Sequence, residues 1–222
     1  MIDEPLTLYT EAFWISPWDA ACWVMLREKG LPFARSVAIM PGSRLLEGLR
    51  ANTVPARIPA LQHGDFWLSG SAAIIEYLEE MFPPPRWPSP WPRDVRQRAR
   101  ARHLSLVTRL ELPALRRERP AWMIFYPATP PPLGPDARVE ADDLLAAAGR
   151  LLAGGAEFVF GGFGIADFDL AFALQRLHRT GVEVGAEIAA YVDRVWGRPS
   201  VREYVDHPRP PNPPLEDRNT TR

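Results

Sequence analysis

The 222-residue sequence predicts an α/β unit followed by an all-helical one. Three observations carry this reading. Short strand-like apolar runs alternate with helical spacing as far as Met81. The stretch Phe82 to Pro92 is then so rich in proline that it can be neither a helix nor a central strand. Beyond it, apolar residues recur only at helical spacing.

Leu6-Thr7-Leu8-Tyr9 alternates as a strand of good β-propensity. A loop, Thr10 to Ile15, leads to Ser16-Pro17, an N-cap followed by proline at the first helical position. Ala20, Ala21, Val24, Met25 and Leu26 form the apolar face of that helix, and Gly30 ends it. Phe33 to Ile39 reads as a second strand and Ser43 to Leu49 as a short helix. Ile58 to Leu61, the turn His63-Gly64-Asp65 and Phe66 to Leu68 make a hairpin. A helix follows at once, with Ala73, Ile74, Tyr77, Leu78 and Met81 in step. This order is the thioredoxin-like arrangement, a mixed sheet with helices on both faces. In the second half, helices are expected over Asp94–Leu112, Ala137–Leu152, Ala166–Thr180, Ala186–Trp196 and Ser200–Val205. The expected organisation is therefore 1–84, a linker at 85–92, a helical unit at 93–206, and a disordered tail at 207–222.

Composition narrows the function. Apolar residues make up 46% of the chain, enough for a sizeable core, and the net charge is −1. That balance argues against nucleic acid or a membrane surface as partner. No apolar run approaches the roughly 20 residues of a membrane span. Met1 to Pro5 lacks a basic-then-apolar leader, so a cytoplasmic location is expected. Cys22 is the only cysteine, which excludes an internal disulfide and a cysteine metal cluster. His63, His103, His178 and His207 have no metal-ligand spacing, and His63, in a hairpin turn, is expected to be solvated. Lys29 is the only lysine, so nearly all positive charge is arginine.

The hairpin ends in a helix N-terminus carrying Ser69, Gly70 and Ser71, where free N–H groups and a hydroxyl suit a carboxylate. Together with Ile58-Pro59-Ala60-Leu61, this stretch resembles the glutathione transferase superfamily. The resemblance implies a cis bond before Pro59, a backbone pairing of Ile58 with the cysteinyl part of glutathione, and a γ-glutamyl end held at Gly70-Ser71. Gly70 departs from the usual acid. A charge-assisted hydrogen bond of that kind contributes about 1.5–3 kcal/mol. Gly164-Ile165-Ala166-Asp167 resembles the capping box of the family's second domain, with glycine in place of serine or threonine. Arg96 to Arg109, with Arg117-Glu118-Arg119-Pro120, resembles a bacterial serine-type subgroup near the theta and zeta classes.

The resemblance implies that Ser16 donates to the glutathione sulfur. A free thiol titrates near ~8.5, and a hydroxyl at a helix N-terminus favours the thiolate. Tyr9, inside the first strand, is expected in the core, as is Cys22, well into the first helix. Glutathione is the implied co-substrate, with no metal. Arg57, Ile58, Pro59, Gly70 and Ser71 are its implied contacts, and Trp18, Arg109 and Trp122 line the electrophile. The partners implied are a small electrophile or peroxide and a second copy in a homodimer. Peroxidase or disulfide-reductase activity is open. So are a glutathione-dependent isomerase, which would carry Ser-Ser-Cys where Ser16-Pro17-Trp18 stands, and a ligand-binding or regulatory protein without catalysis, which Gly70 favours.

Overall fold

A computed structural model of the chain describes residues 4–37, 44–52 and 56–212. β1 (Leu6–Thr10), α1 (Pro17–Glu28), β2 (Ala34–Val37), α2 (Arg44–Asn52), β3 (Ala60–His63), β4 (Phe66–Ser69) and α3 (Ser71–Met81) follow in that order. The strands lie in the order β2-β1-β3-β4, with β1 parallel to β2 and antiparallel to β3, and β3 antiparallel to β4. This is the mixed sheet expected from the sequence. The second strand is described only to Val37, and residues 38–43, where its pattern ends, lie outside the described residues.

Two expectations in the sheet are corrected. His63 is buried, because alternation along β3 turns it inward and the Tyr77 hydroxyl of α3 meets its Nδ1 at 2.7 Å. Tyr9 lies outside the core. Leu6, Leu8 and Thr10 take the inward positions of β1, and Tyr9 stands half-buried on the other face. There its ring stacks on Trp67 and its hydroxyl donates to Gln62 Oε1 at 2.8 Å.

The second half contains, among the described residues, only helices and one 3₁₀ turn: α4 (Val95–Leu110), α5 (Pro113–Glu118), the turn Ala121–Ile124, α6 (Pro135–Leu152), α7 (Ile165–His178), α8 (Ala186–Trp196) and α9 (Pro199–Val205). The helix expected over 94–112 stops at Leu110, since Pro113 restricts Leu112 and removes an N–H. α7 is buried along its length except at His178. Its Ile165, Ala166, Phe168 and Phe172 join the same core as Leu8, Val24 and Leu78 of the first half. Val201 and Tyr204 of α9 enter that core too, so the second half packs directly against α1.

The start of α7 explains Gly164. Asp167 Oδ2 accepts the Gly164 N–H at 2.9 Å, closing half of a capping box. The Ile165 N–H donates instead to Pro90 O of the linker, at 3.1 Å. A β-carbon on Gly164 would lie 2.5 Å from that Pro90 oxygen, so the serine or threonine of the usual pattern has no room. Of the expected tail, residues 207–212 are described and bonded to the rest of the chain, whereas 213–222 lie outside the described residues.

Candidate active site

Ser16 is positioned by the loop that precedes it. The Glu11 carboxylate accepts the N–H groups of Phe13, of Ile15 at 2.8 Å and of Ser16 at 3.1 Å, which curls residues 11–16 around one anion. Trp14 sits in this curl at φ +57°, a left-handed conformation that costs a tryptophan about 1–3 kcal/mol. The surroundings hold it there. Its ring stacks on His207 with centroids 3.7 Å apart, and the Arg35 guanidinium lies over it at 3.8 Å. Its carbonyl accepts from Arg209 Nη2 at 2.9 Å and Nε at 3.1 Å.

The chain leaves this curl as the N-cap of α1. Ser16 has extended backbone angles, and its Oγ accepts the Asp19 N–H at 3.2 Å. Its carbonyl accepts the Tyr204 hydroxyl of α9 at 3.3 Å. The residue is partly exposed. Asp19 behind it is fully buried; its Oδ2 accepts the Glu11 N–H at 2.8 Å, and Oδ1 has no partner among the described residues. Burial pushes the Asp19 carboxyl up to about 7, with the Glu11 charge adding to the rise. The Glu11 N–H pulls most strongly in the other direction, followed by the Ser16 hydroxyl and Arg35.

The second part of the site is the β3 entry and the start of α3. The Ile58-Pro59 bond is cis. Ile58 lies before the ladder, two residues ahead of Ala60, which pairs with Tyr9 and Ser69. The entry is held to the hairpin's far end: Arg57 N donates to Ser69 Oγ at 2.9 Å, and Gly70 N to Pro59 O at 3.0 Å. Gly70 then turns the chain at φ +95° into α3. Ser71 is the first residue of that helix, partly exposed, with its Oγ 2.9 Å from Arg109 Nη1.

Arg109, expected along the electrophile, is buried at the junction of the two halves. Its Nε donates to Asp169 Oδ2 of α7 at 2.8 Å, Nη1 reaches Ser71, and the guanidinium carbon lies 5.7 Å from the Trp18 ring centre. Trp18 is thereby brought to the same corner. Trp122 stands in the 3₁₀ turn, half-buried, and its carbonyl accepts Phe125 N and Tyr126 N. Cys22 is fully buried, donates to Ser71 O at 3.8 Å, and its thiol is pushed well up by burial, as a core cysteine should be.

Sequence reasoning missed Glu11, Asp19, Asp169 and Arg209. Asp19 was legible, because Ser16-Pro17-Trp18-Asp19 has the spacing of a cap with an acid three residues on. Arg209 was not, since nothing local ties it to a loop 195 residues earlier. Among the described residues no group of three His, Cys, Asp or Glu side chains could hold a metal.

A mixed thioredoxin-like sheet, packed on a helical half, with Trp18 of α1 and Ser71 of α3 both meeting Arg109 of α4, defines a two-part fold of a thioredoxin-like unit and a helical unit. The glutathione S-transferase N-terminal domain model matches residues 12–86, and the C-terminal domain model matches residues 94–208. The chain belongs to the glutathione S-transferase family. A solved glutathione transferase homologue from Burkholderia, with bound glutathione, is 34% identical with a TM-score of 0.73, covering 91% of this chain and 96% of that one. A rice glutathione transferase solved in complex with glutathione is 25% identical with a TM-score of 0.67, covering 91% of each chain. Among curated proteins, the probable glutathione S-transferase GSTU1 of Oryza sativa subsp. indica is 40% identical over 72 residues, 32% of this chain and 30% of that protein. Mouse glutathione S-transferase theta-3 is 30% identical over 82 residues, 36% of this chain and 33% of that protein. The matched segment thus spans about a third of these curated relatives.

Proposed function

We propose that the protein is a serine-type glutathione transferase, in which Ser16 donates to the glutathione sulfur and the resulting thiolate attacks a small electrophile or a peroxide. One observation carries this reading: Ser16 is a partly exposed hydroxyl at the N-terminus of α1, on a loop fixed by the Glu11 carboxylate. A free thiol is only a few per cent ionised at neutral pH. A hydroxyl donor and the positive end of a 12-residue helix both favour the charged sulfur. The peptide itself would lie along Arg57, Ile58 and Pro59, with its γ-glutamyl end at Gly70 and Ser71. Both solved relatives named above carry glutathione, which supports the same co-substrate here. Trp18 and Trp122 offer apolar surface to the electrophile.

The same reading includes a homodimer, with Leu106 and Leu110 of α4, 48% and 63% exposed, as apolar contacts for a second copy. A second reading, glutathione binding without turnover, is favoured by Gly70 alone. Assays of Ser16→Ala and Cys22→Ala with chloro-dinitrobenzene and with a hydroperoxide separate them. One hydrogen bond to a charged sulfur supports a loss of roughly ten- to a hundredfold in rate for Ser16→Ala, with Cys22→Ala near wild type. Full activity in Ser16→Ala overturns the serine assignment, and an inactive wild type that binds glutathione selects the second reading.

A further inference from the structure

Behind Ser16 lies a buried carboxyl that the thiol chemistry above leaves unused. Asp19 stands in the first turn of α1 and is 0% exposed, whereas Ser16 is partly exposed. The Asp19 N–H donates to Ser16 Oγ at 3.2 Å. Asp19 Oδ2 accepts the Glu11 N–H at 2.8 Å, so the same acid also fixes the start of the loop that carries the serine. The Glu11 carboxylate in turn accepts the Ser16 N–H at 3.1 Å. Serine and acid are thus held together from both sides of the cap.

A serine hydroxyl has one proton to give. Two acceptors compete for it here. One is the glutathione sulfur on the open side. The other is the Asp19 carboxyl on the buried side, whose charged form the Ser16 hydroxyl favours. An ionised carboxyl is a much stronger acceptor than a neutral one. Burial pushes the Asp19 carboxyl up to about 7, so both forms are populated near neutrality. The groups that face it are Glu11 of the loop, Ser16 at the cap, Cys22 of α1, Arg35 of β2 and Tyr204 of α9. The Glu11 charge opposes ionisation and Arg35 favours it. Burial raises Cys22 and Tyr204 so far that both stay neutral in this range.

We propose, resting on the serine reading above, that Asp19 is a positioning residue for the reaction and sets where the Ser16 proton points. With Asp19 protonated, the hydroxyl donates outward to the glutathione sulfur and stabilises the thiolate. With Asp19 ionised, the hydroxyl turns inward to the carboxylate and the sulfur loses its donor. The thiol proton leaves to water in both cases, and Asp19 keeps or loses its own. The coupling is reciprocal: a bound thiolate holds the Asp19 proton by as much as that proton favours the thiolate.

Ultraviolet titration of the thiolate band in the glutathione complex of the full chain tests this. Asp19→Asn keeps an acceptor for the Glu11 N–H and cannot ionise, so the serine stays in its sulfur-facing state. Its thiolate midpoint should lie about one pH unit below that of the natural chain, a tenfold change in ionisation constant and the effect of one hydrogen bond to a charged group. The same change made in Ser16→Ala should move the midpoint by less than half as much, because only the bare charge of Asp19 then acts. Equal shifts in the two backgrounds, or none in the first, overturn the proposal and leave the serine reading standing. A purely structural Asp19 gives the second of these results, with a changed thermal midpoint and an unmoved thiolate. If Ser16→Ala alone fails to raise the midpoint, the serine reading falls and the proposal with it. If Asp19→Asn does not fold, the natural chain decides. Its thiolate should appear over a wider pH range than a single proton allows, narrowing in Ser16→Ala. A single-proton curve in the natural chain, or one equally broad in Ser16→Ala, overturns the proposal.

Discussion

Lys29, the only lysine in the chain, ends with its Nζ 2.7 Å from Glu79 Oε2, both side chains being out of solvent. Nζ also donates to Pro88 O at 3.0 Å, and Ser89 Oγ donates to the other oxygen of Glu79 at 2.5 Å. The pair therefore ties the end of α1 to α3 and to the proline-rich linker. Removing one member of a buried pair strands the other charge, which costs about 3–5 kcal/mol. Lys29→Met should lower the stability measured by urea unfolding by that order. Lys29→Met combined with Glu79→Leu should recover most of the loss.

Gly164 should tolerate no side chain. A β-carbon there would stand 2.5 Å from the Pro90 oxygen, so Gly164→Ser must push the linker off the start of α7. Overpacking of this kind costs about 1–3 kcal/mol. The substitution should lower the thermal midpoint even though it restores a better capping residue, and a rise in the midpoint would show that the linker yields freely.

Asp19 should make the protein less stable as pH rises. Its carboxyl is raised to about 7 in the folded chain, above the ordinary carboxylate range. Between those two values the folded state holds a proton that the unfolded state has released. Stability present at lower pH is therefore lost progressively up to about 7 and does not fall further above it through this group. Asp19→Asn removes the titration while keeping an acceptor for the Glu11 N–H. The difference in thermal midpoint, variant minus natural chain, should grow from pH 4 to about 7 and then level off. Glu11, Arg35, Tyr204 and Ser16 face the same carboxyl and stay in place in both proteins.

Arg209 should govern the order of the Ser16 loop. Two of its nitrogens hold the Trp14 carbonyl, and the guanidinium lies 4.0 Å from the Phe125 ring centre. Arg209→Ala should release the left-handed Trp14, and amide exchange at Phe13, Ile15 and Ser16 should quicken by roughly tenfold, the effect of losing one charged hydrogen bond. Exchange should be unchanged in β3 and α8, which Arg209 does not touch.

Local pattern determined much of this protein. Strand alternation, the Ser16-Pro17 cap, the hairpin and the proline break led to the order of elements in the first half and to the long helices of the second, because hydrophobic period and turn chemistry act over a few residues; the short α5 and the 3₁₀ turn at Ala121–Ile124 carry too few residues to show a period. The same pattern placed Ser16, Ile58-Pro59 and Ser71 at element ends. Tertiary structure alone decided the rest. Tyr9 leaves the core and His63 enters it, because the pleat phase of a short strand is set by what packs on each face. Arg109 meets Ser71 across 38 residues, Lys29 meets Glu79 across 50, and Arg209 reaches Trp14 across 195. Pairings of that range depend on how α1, α3, α4 and α9 pack, which no local pattern specifies.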